Sequence, residues 1–461
     1  MNFIKTSFLS GISTAISFIA RGISFKIIAA FLGTNGMFLI GQLKDFLRLG
    51  NVLGTFGIEN GIVKYTSEYD ESEEEFTKII STSFKINLIS ALIICLIVLI
   101  AEQPFNLISK FIGREEIINK SLYLLILLLS IFSFSIHTCF LAIINGLKKI
   151  KLWVSINIIA NIISALLLVV LVFLFNNKSI TIPNLIDYNT PLNILYNNKI
   201  NGALYAIIIS QIATFCINII LIYFYKPFKI SQLFSTFSFD YFKKLSSFSI
   251  MAIAGPLCLI TATIIIRSSI AKEPLPIIGV LFNAPWQEGI NYAGSWEAMW
   301  RISAMYLLFL ITTFKFYLIP TFSKLNNLEL KKEVFKVWKF VVPIIIIITL
   351  GIYLMDDIII KVLLTQEFNL IKEIILFHLL GDVIKINCWV LGNIMISKKQ
   401  TISFSFFQLE WALVFLSLCY IFIDRDMLNY GFVGVSYAYF ITYIIHFTLL
   451  NIHFRKLLWI K

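Results

Sequence analysis

The feature that most constrains this chain is the run from Leu152 to Phe175, which contains no charged side chain. At 1.5 Å per residue, a helix of that length crosses the ~30 Å hydrocarbon core of a bilayer. Comparable runs recur along the sequence and give twelve candidate spans, near 8–32, 36–62, 79–101, 121–146, 152–175, 202–225, 246–271, 294–320, 337–360, 373–396, 401–423 and 431–454. The first, second and eighth are the weakest, because they carry charges and glycines. The composition agrees: 58% hydrophobic and 14% charged residues exclude a soluble globular domain, a disordered chain and a secreted disulfide scaffold. The expected fold is therefore an all-α polytopic membrane protein with about twelve transmembrane helices. The amino terminus does not read as a cleaved signal peptide, because its apolar stretch runs through Arg21 and Lys26 without a small-residue cleavage pattern.

The net charge of +12 would suggest nucleic acid in a soluble protein. Here it sorts by loop. With both termini in the cytoplasm, the inner connections carry roughly twice the Lys and Arg of the outer ones, the bias that orients membrane proteins. Lys148 to Lys151 and Lys226 to Lys244 are then cytoplasmic, and the Asn-rich stretch Asn176 to Ile200 is periplasmic. The longest inner connection falls between the sixth and seventh spans. It divides the chain into an N-terminal lobe, 1–226, a cytoplasmic linker, 227–243, and a C-terminal lobe, 244–461. Two six-helix lobes around a central cavity are a common transporter plan. The six Cys lie singly in apolar runs and read as small core residues, and the four His do not cluster. No metal site is expected.

Ionisable groups inside the spans point to function. The basic ones are Arg21, Lys26, Lys44, Arg48, Lys85, Arg267, Arg301, Lys315 and Lys385; the acids are fewer, namely Asp45, Glu59, Glu297, Asp382 and Glu410. A charge at a helix centre costs roughly 2.5–3.5 kcal/mol, so these bases need partners or a purpose. Lys85, Arg267 and Lys315 are near span ends and can snorkel to the interface. Glu297 with Arg301, Asp382 with Lys385, and Asp45 with Arg48 have helical spacings that allow either mutual neutralisation or a substrate role. Arg21 sits deep in its span with no acid within a turn, and Lys44 and Arg48 share a face. Together these groups predict a cationic cavity for an anionic substrate, with Arg21, Lys26, Lys44, Arg48, Arg267, Arg301 and Lys385 as the binding candidates. Asp45 and Asp382 are the candidates for proton or sodium coupling.

Gly50, Gly54, Gly57 and Gly61 follow a 4-3-4 spacing, which predicts one small-residue face on a single helix, for close packing or for bending. Pro256 and Pro343 lie inside spans, where membranes tolerate them. No P-loop is present, so ATP hydrolysis is not expected, and no catalytic carboxylate pair or Ser/His arrangement sits in a large loop.

Four stretches carry a family resemblance. Gly57 to Tyr65, with Gly57, Asn60, Gly61, Lys64 and Tyr65, resembles the end of the second span in bacterial Wzx flippases of the O-antigen and enterobacterial common antigen type. Trp300 to Ser323, Leu380 to Lys385, and Ala438 to Tyr443 resemble the same family's eighth, tenth and twelfth spans. Arg301 departs from the family pattern, where Gln is expected after the Trp, and Glu273 to Tyr292 resembles an insertion. The resemblance implies a fold of the multidrug/oligosaccharidyl-lipid/polysaccharide exporter superfamily. It also implies a substrate, an oligosaccharide repeat unit on undecaprenyl diphosphate, moved between leaflets of the bacterial inner membrane without a cofactor. Membrane lipid is a further partner, and the polymerase and chain-length proteins of the same pathway are candidate protein partners. A cation-coupled drug antiporter, which would concentrate acids in its cavity, and a polysaccharide polymerase, which would need a large outer loop, are the alternatives.

Overall fold

The computed structural model describes residues 3–69, 72–105, 120–175, 199–271, 289–423, 427–428 and 430–459. Among these residues there are helices, turns and no strand. The protein is an all-α membrane protein. Its helices are α1 (Phe3–Gly54), α2 (Glu59–Glu68), α3 (Glu73–Phe105), α4 (Lys120–Gly146), α5 (Ile150–Leu174), α6 (Lys199–Tyr225), α7 (Phe239–Ser246) and α8 (Ser249–Ala271). They continue with α9 (Ile290–Lys324), α10 (Asn327–Leu354), α11 (Asp356–Leu363), α12 (Ile371–Ser397), α13 (Thr401–Ile423), α14 (Gly431–His453) and α15 (Arg455–Leu458). Ten of these helices are long and apolar enough to cross a membrane, among the described residues. The expected outer stretch Asn176 to Ile200 and the insertion-like Glu273 to Tyr292 lie largely outside the described residues, as does the side chain of Lys315.

The chain forms two compact units, the first comprising residues 1–32 and 39–256, the second 33–38 and 257–461. In the first, α4 packs on α2, α3 and α6, and α5 packs on α6. The segment read as a linker folds onto this unit: Phe228 and Leu233 join a core with Ile58, Phe76, Ile80 and Phe140. Ser81 Oγ and Lys85 Nζ both donate to the Ser235 carbonyl, at 2.7 and 2.5 Å. In the second unit α12 is the central helix. It packs on α9, α10 and α14, and α13 covers α14. Its buried residues run from Ile371 to Met395, and it leaves Leu376 and Leu380 exposed on one side.

Local chemistry sets the element ends. Asn326 caps α10 by accepting from the Glu329 N–H at 3.0 Å, and Glu329 accepts from the Asn326 N–H at 3.1 Å, a reciprocal capping box. Helix α1 is two helices joined at Gly33, whose φ of 61° and ψ of −158° are non-helical. That conformation is essentially reserved for glycine. The first two expected spans thus meet at a glycine break with no intervening loop.

The second expected span does not continue to residue 62. Helix α1 ends at Gly54, and a turn with positive φ at Phe56 and Gly57 leads into α2. The four glycines therefore do not share one helix face, because the turn rotates Gly57 and Gly61 away from the register of Gly50 and Gly54. Each still permits a close approach. A Cβ on Gly50 would meet Ile131, on Gly54 Ser135, on Gly57 Ile253 and the Ser249 carbonyl, and on Gly61 Leu245 and Phe248. Of the six cysteines, all free, Cys139, Cys388 and Cys419 are buried, whereas Cys216 is exposed and not a core residue.

Candidate functional site

Within the second unit, three helices converge on Asp382. Helix spacing sets Lys385 three residues and His378 four residues from it on α12. The Asp382 carboxylate accepts from Tyr306 Oη of α9 at 2.5 Å and from Tyr439 Oη of α14 at 2.7 Å. Lys385 Nζ lies 3.4 Å from the same carboxylate and donates to Tyr439 Oη at 2.9 Å. The ammonium sits over the rings of Trp300, Trp389, Tyr439 and Tyr443, 5.1–5.8 Å from their centroids. His378 stacks on Tyr439 with centroids 4.3 Å apart. Gly381 makes this possible, because a Cβ there would sit 2.5 Å from the Tyr439 ring. The pair suggested by the 382/385 spacing thus forms. It is a buried ion pair in an aromatic cage, where cation–π contact adds to the Coulomb attraction.

A second charged cluster lies one helical face away. Glu297 on α9 accepts from Arg301 Nε at 2.6 Å and pairs with an Arg267 Nη of α8 at 2.7 Å. Arg267 does not snorkel to an interface. Its side chain is 1% exposed and lies 5.9 Å from the Trp296 ring, because a carboxylate from the neighbouring helix holds it inside. One acid between two guanidinium groups leaves this cluster with one net positive charge. Trp296 and Trp300, with centroids 5.3 Å apart, connect it to the Lys385 cage.

In the first unit, Arg48 pairs with Asp45 at 3.4 Å, and the Arg48 side chain stays 60% exposed. Arg21 is exposed as well, and its charge is felt by that of Arg48. Lys26 and Lys44, both half-buried, make further interactions. Two like guanidinium charges within electrostatic reach, with Asp45 beside one of them, form an arrangement that an anion would stabilise.

The motif residues do a different job. Gly57 and Gly61 admit α7 and the start of α8 against α2. Tyr65 meets Tyr241 and Phe248 edge to face, and Lys64 Nζ lies 5.0 Å from the Tyr65 ring. Asn60 is exposed. Sequence reasoning missed Tyr306, His378 and the Arg267–Glu297 pair, which joins residues thirty positions apart and leaves no local signal. It also missed a carboxylate–imidazole pair, Glu410 Oε2 to His446 Nδ1 at 2.6 Å. Trp300, Tyr439 and Tyr443 stood inside the stretches that resemble the flippases, and that was the available signal.

The model of the family described as polysaccharide biosynthesis protein matches residues 3–326. The lipid III flippase of Escherichia coli (strain K12) is 24% identical over 450 residues, 97% of each chain. Among solved structures, the inward-facing conformation of a multidrug resistance MATE family transporter of the MOP superfamily has a TM-score of 0.64 at 14% identity, covering 96% of this chain and 95% of that one. The lipid II flippase MurJ in an inward closed conformation also has a TM-score of 0.64, at 15% identity, covering 98% and 87%. The fold is that of these transporters.

Proposed function

The chain belongs to the polysaccharide biosynthesis protein family, and from that premise we propose that it is a flippase for lipid-linked oligosaccharide. In the finer reading, it moves an O-antigen or related repeat unit on undecaprenyl diphosphate from the cytoplasmic to the periplasmic leaflet of the bacterial inner membrane, with both termini cytoplasmic. The observation that carries the reading is the surplus of intramembrane cations. Arg21 and Arg48 interact as like charges, and Glu297 answers two arginines at once. A diphosphate is the group such a surplus would hold, and Arg binds it through paired N–H donors. End-to-end similarity to the lipid III flippase supports the sugar–lipid class. The drug antiporter, whose fold is shared, fits less well, because a cationic substrate would meet repulsion from these arginines. Asp45 and Asp382 are the proposed coupling groups, each next to a base whose field a proton would alter.

Arg48 is the residue to test, since its exposed guanidinium can reach a ligand without breaking a buried network. In a flippase-deficient strain, Arg48→Ala is expected to abolish surface display of the repeat unit at unchanged membrane abundance, and Arg48→Lys to retain part of it. Normal display by the Ala variant at native expression would remove Arg48 from the diphosphate site.

A further inference from the structure

A cavity of about 240 Å³ opens in the second unit, walled by α8, α12, α13 and α14. Its aromatic walls include Trp389, Trp411 and Tyr443, and its polar groups are Asn393, Gln408, His446 and Lys385. Gln408 lies seven residues into α13 and His446 seven residues before the end of α14. At 1.5 Å per residue, each is about 10 Å inside its helix end. An amide at that depth loses its hydrogen bonds to water unless a protein or ligand group replaces them.

The polar groups here are held ready rather than consumed. Asn393 donates Nδ2 to the Trp389 carbonyl at 2.8 Å, which orients the amide and leaves Oδ1 to accept. The Gln408 amide has no side-chain partner among the described residues. Glu410 Oε2 sits 2.6 Å from His446 Nδ1. With the proton on Nδ1, directed at the carboxylate, Nε2 is left as an acceptor. Lys385, the cavity's cation, is already engaged by Asp382 and Tyr439.

These features specify the occupant's chemistry. An anion would find no uncommitted cation, and a cation would face Lys385. Flat aromatic walls accept an apolar ring face, while amides and an imidazole edge accept and donate to hydroxyls. A volume of about 240 Å³ has room for a single sugar ring. We propose that this cavity is a subsite for one neutral pyranose of the lipid-linked oligosaccharide, with Gln408, Asn393 and His446 reading its hydroxyls and Glu410 acting as the positioning residue for His446. The inference rests on the flippase reading and adds to it a place where sugar, as distinct from diphosphate, is recognised.

The test compares two lipids, undecaprenyl diphosphate bearing its oligosaccharide and undecaprenyl diphosphate without sugar, in proteoliposomes and by tryptophan emission of the purified protein. The wild type is expected to flip the sugar-bearing lipid in preference. Gln408→Ala should lower that preference about tenfold, the ~1.4 kcal/mol of one polar contact, with sugar-free flipping unchanged, and Gln408→Asn should keep part of it. Emission should change saturably with the sugar-bearing lipid alone, and that change should vanish in Trp389→Phe/Trp411→Phe. A wild type that flips neither lipid yet shows the emission change overturns the flippase reading and leaves the subsite standing. A wild type that binds both lipids equally, or a Gln408→Ala variant with unaltered preference in both assays, overturns the subsite.

Discussion

Asp382 is held by the Lys385 ammonium and by the hydroxyls of Tyr306 and Tyr439. Its pairing with Lys385 follows from helical spacing alone, and the structure forms that pair. The two tyrosines that complete its hydrogen bonds lie 76 and 57 residues away, and no local pattern announces them. The energetics follow from burial. Asp382→Asn keeps the shape but leaves the Lys385 ammonium without a counter-charge, and breaking a buried pair from one side costs about 3–5 kcal/mol. Asp382→Asn is therefore expected to unfold at a clearly lower temperature in detergent than the wild type. Adding Lys385→Met, which removes the stranded charge, should recover most of the loss. The double-mutant cycle measures the coupling, and independent, additive effects would show that the pair does not stabilise the fold. The same logic applies to Glu297, since Glu297→Gln removes the carboxylate that pairs with both Arg267 and Arg301. The Arg301 pairing was visible four residues away, whereas Arg267 looked like an interface residue because it is four residues from the end of α8.

At the scale of elements, apolar runs announced most of the helices to within a few residues, since length and hydropathy alone define a crossing. What they could not announce was where a helix breaks on a glycine. Spacing placed Gly50, Gly54, Gly57 and Gly61 on one face. The turn at Phe56 and Gly57 invalidates that periodicity, because a helical wheel assumes the very continuity that a positive φ ends. Gly33 is the sharper case: it interrupts a 52-residue helix in a conformation other residues avoid, and a Cβ there would collide with the Glu367 carboxylate. Gly33→Ala is therefore expected to destabilise the protein by about 1–3 kcal/mol, while Gly351→Ala, at a helical position with open space around the added Cβ, should be neutral or mildly stabilising. Thermal unfolding of the two variants side by side distinguishes a conformational requirement at Gly33 from a general sensitivity to added methyl groups. Equal melting temperatures would mean that the break at Gly33 tolerates a side chain.

For the molecule as a whole, the informative quantity is the sign of the intramembrane charge. Acids and bases inside spans are costly, so an excess of bases over acids calls for a functional reading, and the proposed anionic cargo supplies one. The surplus is countable from sequence; its distribution into a closed pair, a three-membered cluster and two exposed arginines is not, because that depends on which helices touch. If the cargo is a diphosphate, the driving force follows from electrostatics. An anion leaving a compartment that is negative inside moves down the potential, gaining about 2.3 kcal/mol per charge for each 100 mV, if each charge crosses the whole field. Two charges then gain on the order of 4–5 kcal/mol, a bias of about a thousandfold in the final distribution, without ATP and in keeping with the missing P-loop. In proteoliposomes holding the sugar-bearing lipid, a potassium diffusion potential set with valinomycin should speed flipping toward the positive side and slow it when the polarity is reversed, at equal pH on both faces. A rate indifferent to polarity but dependent on an imposed pH gradient would transfer the driving role to a titrating group, and Asp382→Asn and Asp45→Asn would then be expected to abolish that dependence at one of the two sites.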